Sequence, residues 1–369
     1  MFDVAIIGAG IAGLTCAQRL KQSGCTVVVL EKSRGFGGRL ATRRVEISQG
    51  ETPVHLRIDH GARYLEPRGK LTQQLIQHLG VKETAADSEQ VLKLWTRAIH
   101  QLHPGQTLEQ MTPVEPGLPR YIVPSGMNQV GKVLAQGLEV WVNRRVIALN
   151  TQDKHWQLTL ESTHHSATEK PLSAAAKAVV IAIPAPQAVM LLETAQTRSI
   201  PDEFRQVLRS IKYDPCITVM ARYAAEYQPV FTDRHPVWRV IQFPQHPNLG
   251  WLSFDSTKRQ PPTQSPVFVL QSGAAFAERH LETSDLQPVG QVLLQSAADQ
   301  VYSWLSAPEW VQVHRWRYSI CQNPLREPCL TSLNPLPIVG IGDWCRDDYP
   351  IEAALVSGHA AADWLVDFS

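Results

Sequence analysis

The sequence predicts an α/β fold in which a parallel-sheet domain, assembled discontinuously along the chain, carries an inserted antiparallel-sheet domain. Three observations lead there. An apolar run at residues 3–7 enters a glycine turn and a helical stretch that returns as a second apolar run at 26–31. The same order of apolar run, glycine and helix recurs from residue 338 to the C-terminus. Between them, from Pro184 onward, short apolar or alternating runs separated by turn formers have the texture of antiparallel strands.

The 369 residues amount to about two domains of about 150 residues each. A composition of 44% hydrophobic and 19% charged residues is that of a globular chain with a large core. The formal charge of +1 gives no electrostatic reason for a nucleic acid or a charged membrane as partner, which leaves a small molecule. All ten tryptophans lie at or after Trp95, seven of them from Trp238 to Trp364, so two differently built regions are expected. The cysteines (Cys16, Cys25, Cys216, Cys321, Cys329, Cys345) form no C-x-x-C pair and have no clustered histidines beside them, which argues against a metal site and a disulfide framework. No apolar run approaches about 18 residues and no basic leader precedes the first strand, so a soluble, cytoplasmic chain is expected.

Residues 3–7 read as a parallel strand buried on both faces, residues 11–24 as a helix ended by Gly24, and 26–31 as the neighbouring parallel strand. Residues 32–44 read as loop, 53–66 as a short strand and turn, and 70–80 as a helix with Leu71, Leu75, Ile76 and Leu79 on one face. The segment 95–119 reads as connection or short strands. A helix from about Met127 to Gln136 follows, then further strands up to Ile183. After Pro184 strands dominate until a helix from about Asp285 to Leu305. A strand then places His314, Trp316 and Tyr318 on one face. The resulting division assigns 1–66, 121–184 and 332–369 to one domain, and 67–120 and 185–331 to the other.

Gly8, Gly10 and Gly13 follow the first strand and open the first helix, with Glu31 ending the next strand. In that context each has a reason: Gly8 for the tight turn, Gly10 for close approach of a pyrophosphate, Gly13 for helix–strand packing, and Glu31 for ribose hydroxyls. The helix start offers unpaired N–H groups to phosphate. A second cluster, Gly35-Phe36-Gly37-Gly38-Arg39, suits the longer FAD rather than a nicotinamide dinucleotide. A Rossmann-like FAD-binding domain is therefore expected.

These motifs resemble the FAD-dependent amine oxidase group of flavoproteins with two dinucleotide-binding regions. Within it the chain is most similar to renalase and its bacterial relatives. The residues carrying this are Asp59-His60-Gly61-Ala62-Arg63-Tyr64, Pro124-Ser125-Gly126-Met127, Tyr213-Asp214-Pro215-Cys216, His314 to Tyr318, Gly342-Asp343-Trp344-Cys345, Glu352-Ala353-Ala354 and Ser357-Gly358. The resemblance implies that Gly8, Gly10, Ala12, Gly13, Glu31, Lys32, Gly38 and Arg39 hold the ADP half of a noncovalent FAD, with the Val146 backbone at the adenine. It implies that Gly61, Ala62, Arg63 and Tyr64 lie against the isoalloxazine, and that Gly342, Asp343, Glu352, Ala353 and Ala354 serve the rest of the cofactor. The start of the last helix would face the second phosphate.

Relatives carry Gln where this chain has Arg63. An arginine there could stabilise the anionic reduced flavin, bind a substrate phosphate, or point to solvent. The stretch Asp255-Ser256-Thr257-Lys258-Arg259-Gln260-Pro261 and the region from Ser272 to Phe276 also depart from the family pattern, so the substrate pocket is expected to differ. No side chain stands out as catalytic, because a flavin accepts the electrons itself. Arg63, Tyr64, Trp316 and Tyr318 are the pocket candidates, the two on the strand being equally readable as sheet-core aromatics.

The resemblance implies an oxidase converting 2- or 6-dihydro-NAD(P) isomers to NAD(P)+ with O2 reduced to hydrogen peroxide, as monomer or homodimer. The alternatives are an amine oxidase or desaturase-type enzyme acting on another hydrophobic donor, and a noncatalytic flavin-binding redox module.

Overall fold

The computed structural model describes residues 1–47, 53–81, 91–114, 117–163, 172–193, 200–228, 238–259 and 265–367. The chain begins β1 (Phe2–Ile7), α1 (Ile11–Gln22), β2 (Val27–Leu30). A ribbon of β3 (Thr42–Ile47) and β4 (Val54–Asp59) follows, then α2 (Lys70–Leu79) and the short strands β5 (Lys93–Thr96), β6 (His100–Gln101), β7 (Thr112–Pro113) and β8 (Arg120–Ile122). Next come α3 (Asn128–Leu134), β9 (Glu139–Trp141), β10 (Arg144–Gln152), β11 (His155–Ser162), β12 (Leu172–Ile181), α4 (Ala185–Leu192) and α5 (Asp202–Ser210). The remainder is β13 (Tyr213–Arg222), β14 (Val240–Gln242), β15 (Leu249–Phe254), β16 (Val267–Ser272), α6 (Ala274–Arg279), α7 (Gln287–Gln300), β17 (Trp310–Cys321), β18 (Leu330–Ser332), β19 (Ile338–Gly340) and α8 (Pro350–Val366).

The apolar strands β1, β2, β9, β12 and β19 pair in parallel, and β10, β11 and β18 add antiparallel edges to complete an eight-stranded sheet. Covered faces explain why β1, β2 and β19 are almost wholly apolar. Small residues let the helices close on that sheet and on each other. A Cβ on Gly13 would sit 2.1 Å from the Gly8 carbonyl oxygen, and one on Gly358 of α8 would sit 2.6 Å from the Ala12 oxygen of α1.

The second sheet has seven strands in the order β17-β13-β16-β15-β14-β6-β7. It is antiparallel apart from the β14–β6 pair, which is parallel. Its core side packs on α7 through Val289, Leu293, Leu294 and Ala297. A third core, with Ile11, Tyr64, Trp95, Trp251, Ile351 and Leu355, joins α1 and α8 to the second sheet. The expected α/β fold, a mainly parallel sheet together with a mainly antiparallel one, is the fold observed.

Three local expectations are corrected. Residues 42–44, expected as loop, open a strand that runs to Ile47: Val45 and Ile47 pack on Leu56, Met220 and Val267, while Arg44 and Glu46 are exposed on the cavity side. Helices α4 and α5 stand where strands were expected, because the prolines beside them occupy helix starts, where a missing N–H is not needed. Ala188, Leu191, Phe204 and Leu208 of these helices pack in the core of the first sheet. These two helices, expected in the second domain, thus pack their apolar faces with the first. Gln260 and Pro261 lie outside the described residues.

Candidate cofactor and substrate site

Between the sheets lies a cavity of about 2100 Å³. Pockets for drug-sized molecules are about 300–1,000 Å³, so this one has room for an extended dinucleotide and a second molecule.

The glycine turn forms one wall. Gly8 has φ +108°, and a Cβ there would meet the Ala182 carbonyl oxygen at 2.6 Å. At Gly10 the opposite holds: nothing lies within 4 Å of an added Cβ, and Gly10, Ile11 and Ala12 line the cavity. Helix α1 starts with Gly10 as its N-cap, without a side-chain cap or a first-turn acid. Its leading N–H groups therefore need an acceptor from elsewhere. Gly13 does not line the cavity; its role is the close packing just described. Buried Glu31 accepts from the backbone N–H of Ala9 (2.8 Å) and Ser33 (2.7 Å), which ties the end of β2 to the glycine turn. Lys32 follows it on the lining.

Gly38 and Arg39 form the next part of the wall. Arg39 makes a fork to Asp343, with Nη1–Oδ2 at 2.8 Å and Nη2–Oδ1 at 2.5 Å, and Nη1 also donates to the Ser319 carbonyl at 3.0 Å. The Tyr213 hydroxyl donates to Asp343 Oδ1 at 3.3 Å. Burial opposes the Arg39 charge, but the Asp343 carboxylate outweighs it and raises the Arg39 pKa, while burial raises that of Tyr213, so the cation and the phenol both persist across the physiological range. Sequence reasoning placed Arg39 and Asp343 on separate parts of the cofactor; here each is the other's partner, and both line the cavity with Gly342.

The turn after β4 forms the junction wall. A Cβ on Gly61 would lie 2.0 Å from the Arg39 carbonyl oxygen, and Ala62 N–H donates to that oxygen at 2.8 Å. Tyr64 is mostly buried between Trp95 and Trp251 (ring centroids 6.5 and 6.1 Å away) and lines the cavity. Trp316 donates its Nε1 hydrogen to the His60 carbonyl at 2.9 Å and stacks on the His60 ring at 5.5 Å, while His314 meets both rings edge-on. Tyr318 lies edge-on to Tyr213. All of these residues line the cavity except Tyr213, Trp95 and Trp251. Burial holds His60 near pKa 3 and His314 near 4, with the Arg43 charge adding to both shifts and His314 also acting on His60. Both imidazoles are therefore neutral at pH 7.

Behind the turn is a buried network that sequence reasoning missed. Lys258 Nζ lies 3.1 Å from Asp255 and 3.6 Å from Asp59, and Arg259 lies 2.6 Å from Asp255 and 3.0 Å from Asp59. Two cations and two anions compensate one another there, and Asp59 also accepts from Thr42 and from the Met127 N–H. Asp59 stays below the usual carboxylate range: burial opposes its charge, and the Arg259 and Lys258 charges outweigh burial. Lys258 donates to the Arg63 carbonyl at 3.0 Å, so the network fixes the turn that carries Arg63.

Three expected cofactor contacts are corrected. Glu352 does not face the cavity; its carboxylate accepts from the Leu71 and Thr72 N–H groups and the Thr72 hydroxyl, capping α2, whose own N-cap is Gly69. A helix that starts on a glycine without a capping side chain was the signal. Ala353 is fully buried, whereas Ala354 lines the cavity with Pro350 and Ile351 at the start of α8. Val146 is buried in the first core, two residues beyond the Arg144 N–H that donates to the Glu31 carbonyl, and it does not line the cavity.

The donor set fits FAD: an uncapped helix start beside open space at Gly10, a carboxylate at the end of β2, and an arginine-bearing glycine loop facing α8. Among the described residues no group of His, Cys, Asp or Glu could hold a metal ion, and no helix is long and apolar enough to cross a membrane.

Comparison with known proteins agrees with this geometry. Residues 6–79 match a family described as an NAD(P)-binding Rossmann-like domain, and residues 104–365 match one described as flavin containing amine oxidoreductase. The chain is 36% identical over 91 residues to a flavin-containing amine oxidase of Oncorhynchus mykiss, and 34% identical over 91 residues to one of Danio rerio. Each match covers 25% of this chain and 16% of the relative, so it spans about a sixth of those proteins. Among solved structures, cyclohexylamine oxidase from Brevibacterium oxydans superposes with a TM-score of 0.68 at 14% identity, covering 100% of this chain and 99% of that one. Putrescine oxidase bound to putrescine gives 0.66 at 14% identity, with 98% of each chain covered. At such identity the likeness is one of fold.

Proposed function

Because this chain belongs to the flavin containing amine oxidoreductase family, we propose that it is an FAD-dependent, renalase-like oxidase whose substrates are 2- and 6-dihydro-NAD(P) isomers. The balanced reaction takes a dihydronicotinamide dinucleotide, O2 and a proton to NAD(P)+ and hydrogen peroxide. Noncovalent FAD, when bound, supplies the two-electron acceptor.

The observation that carries this reading is the charge of the cavity: eleven Lys or Arg line it against four Asp or Glu. The FAD pyrophosphate accounts for two negative charges. The remaining excess favours a second phosphate-bearing molecule and works against a cationic alkylamine. The chain's own residues would bind and orient. The α1 start and Glu31 take the ADP half, and Gly38 and the Arg39–Asp343 pair stand at the centre of the cofactor. Trp316 and Tyr318 supply flat walls for the nicotinamide, with His60 and His314 neutral beside Trp316. The protein works as a cytoplasmic monomer or homodimer in this reading.

A second reading, oxidation of an amine, is favoured by the relatives named above as amine oxidases. Anaerobic titration separates the two. Dihydronicotinamide isomers are expected to bleach the flavin absorbance at stoichiometric addition, and a panel of alkyl and aryl amines to leave it unchanged. The reverse pattern would replace the proposal with the second reading. Silence across both panels would leave only a noncatalytic flavin-binding role.

A further inference from the structure

Arg63 faces the cavity, and among the described residues no carboxylate pairs with its guanidinium. Its pose is nevertheless fixed. The Trp251 ring covers one face, with the guanidinium carbon 3.9 Å from the ring centroid. Nε donates to Gln271 Oε1 at 2.5 Å, and Gln271 Nε2 donates to the Gly61 carbonyl at 3.2 Å. From the other side, Lys258 holds the Arg63 carbonyl. With Nε engaged, Nη1 and Nη2 donate to no described residue. These two nitrogens form an edge that pairs in parallel with a carboxylate or a phosphate.

Burial works against the Arg63 charge, so an anion entering here relieves an unpaired, partly desolvated cation. Trp251 lies on β15 and Gln271 on β16, both strands of the second sheet. The fork is therefore anchored from the second-sheet side and not from the glycine turn that suits the ADP half.

We propose that Arg63 is a specificity-determining anion anchor, receiving a carboxylate or phosphate of the substrate through two parallel N–H···O bonds. Trp251 and Gln271 are the positioning residues that hold the fork. The proposal rests on the reading of a phosphate-bearing dihydronicotinamide substrate and names the residue that selects its charge.

The test uses the FAD-loaded protein and calorimetric titration of wild type, Arg63→Gln and Arg63→Lys with inorganic phosphate, nicotinate and the neutral nicotinamide. Arg63→Gln is expected to weaken phosphate or nicotinate at least tenfold and to leave nicotinamide unchanged. Arg63→Lys, which keeps the charge without the fork, is expected to fall between. A loss confined to phosphate assigns a phosphate of the substrate; a loss confined to nicotinate assigns a ring carboxylate. Equal binding of both anions by wild type and Arg63→Gln overturns the proposal, as does a lowered flavin midpoint potential with anion binding unchanged. Failure of wild type to oxidise dihydronicotinamides would sink the substrate reading instead, and anion binding would remain measurable.

Discussion

Lowering the pH from 7 to 5 tests whether His60 is buried as a neutral ring against Trp316. Its folded pKa is near 3 against an ordinary 6.5, with burial the largest cause. As pH falls below 6.5 the unfolded chain takes up the proton and the folded chain does not. Stability is therefore lost progressively between pH 6.5 and about 3. One proton is worth about 1.4 kcal/mol per pH unit, so the loss attributable to His60 between pH 6.5 and 5 is about 2 kcal/mol. The assay is urea unfolding of wild type and His60→Gln at both pH values, extrapolated linearly to water. Packing lost in the variant shifts both of its curves alike, so only the pH-dependent difference between the two proteins is read. The variant is expected to lose about 2 kcal/mol less than wild type over this interval. Equal losses would show that the ring protonates freely in the folded protein, and the stacked pose on Trp316 would be wrong.

Three further outcomes are expected. Gly10→Val, whose side chain enters open space, should fold with a near wild-type Tm but bind FAD poorly. Gly13→Ala, with a Cβ that would meet the Gly8 carbonyl oxygen at 2.1 Å, should instead lower Tm; thermal melts and flavin content read the contrast. Lys258→Met leaves Asp59 and Asp255 with Arg259 alone in a buried setting and should cost about 3–5 kcal/mol of unfolding free energy by urea titration. Glu352→Ala removes the acceptor of the α2 start and should cost about 1–2 kcal/mol while flavin content is unchanged; a colourless variant would return Glu352 to the cofactor.

What could be read from the chain was local. The unit β1, α1 and β2 is visible because each glycine and Glu31 has a fixed offset dictated by one turn and one helix. The cavity aromatics of β17 are visible because alternation places His314, Trp316 and Tyr318 on one side. The Arg39–Asp343 fork was invisible, since its members are 304 residues apart and only the meeting of the sheets joins them. The buried network failed to show for the same reason: Asp255, Lys258 and Arg259 are neighbours in one turn, but Asp59 comes from β4. Helices α4 and α5 were missed through proline, which ends a helix in its interior yet suits its first turn. Glu352 was assigned by motif position, and motif position carries no side-chain direction.

In the proposed reaction electrons pass from a dihydronicotinamide dinucleotide to O2. The most direct measurement is product stoichiometry during aerobic turnover with 2- and 6-dihydro-NAD(P) isomers, following NAD(P)+ chromatographically and hydrogen peroxide by a coupled peroxidase. The expected result is one NAD(P)+ and one hydrogen peroxide for each O2 consumed. Turnover with amines that releases hydrogen peroxide, while the isomers yield no NAD(P)+, would contradict it.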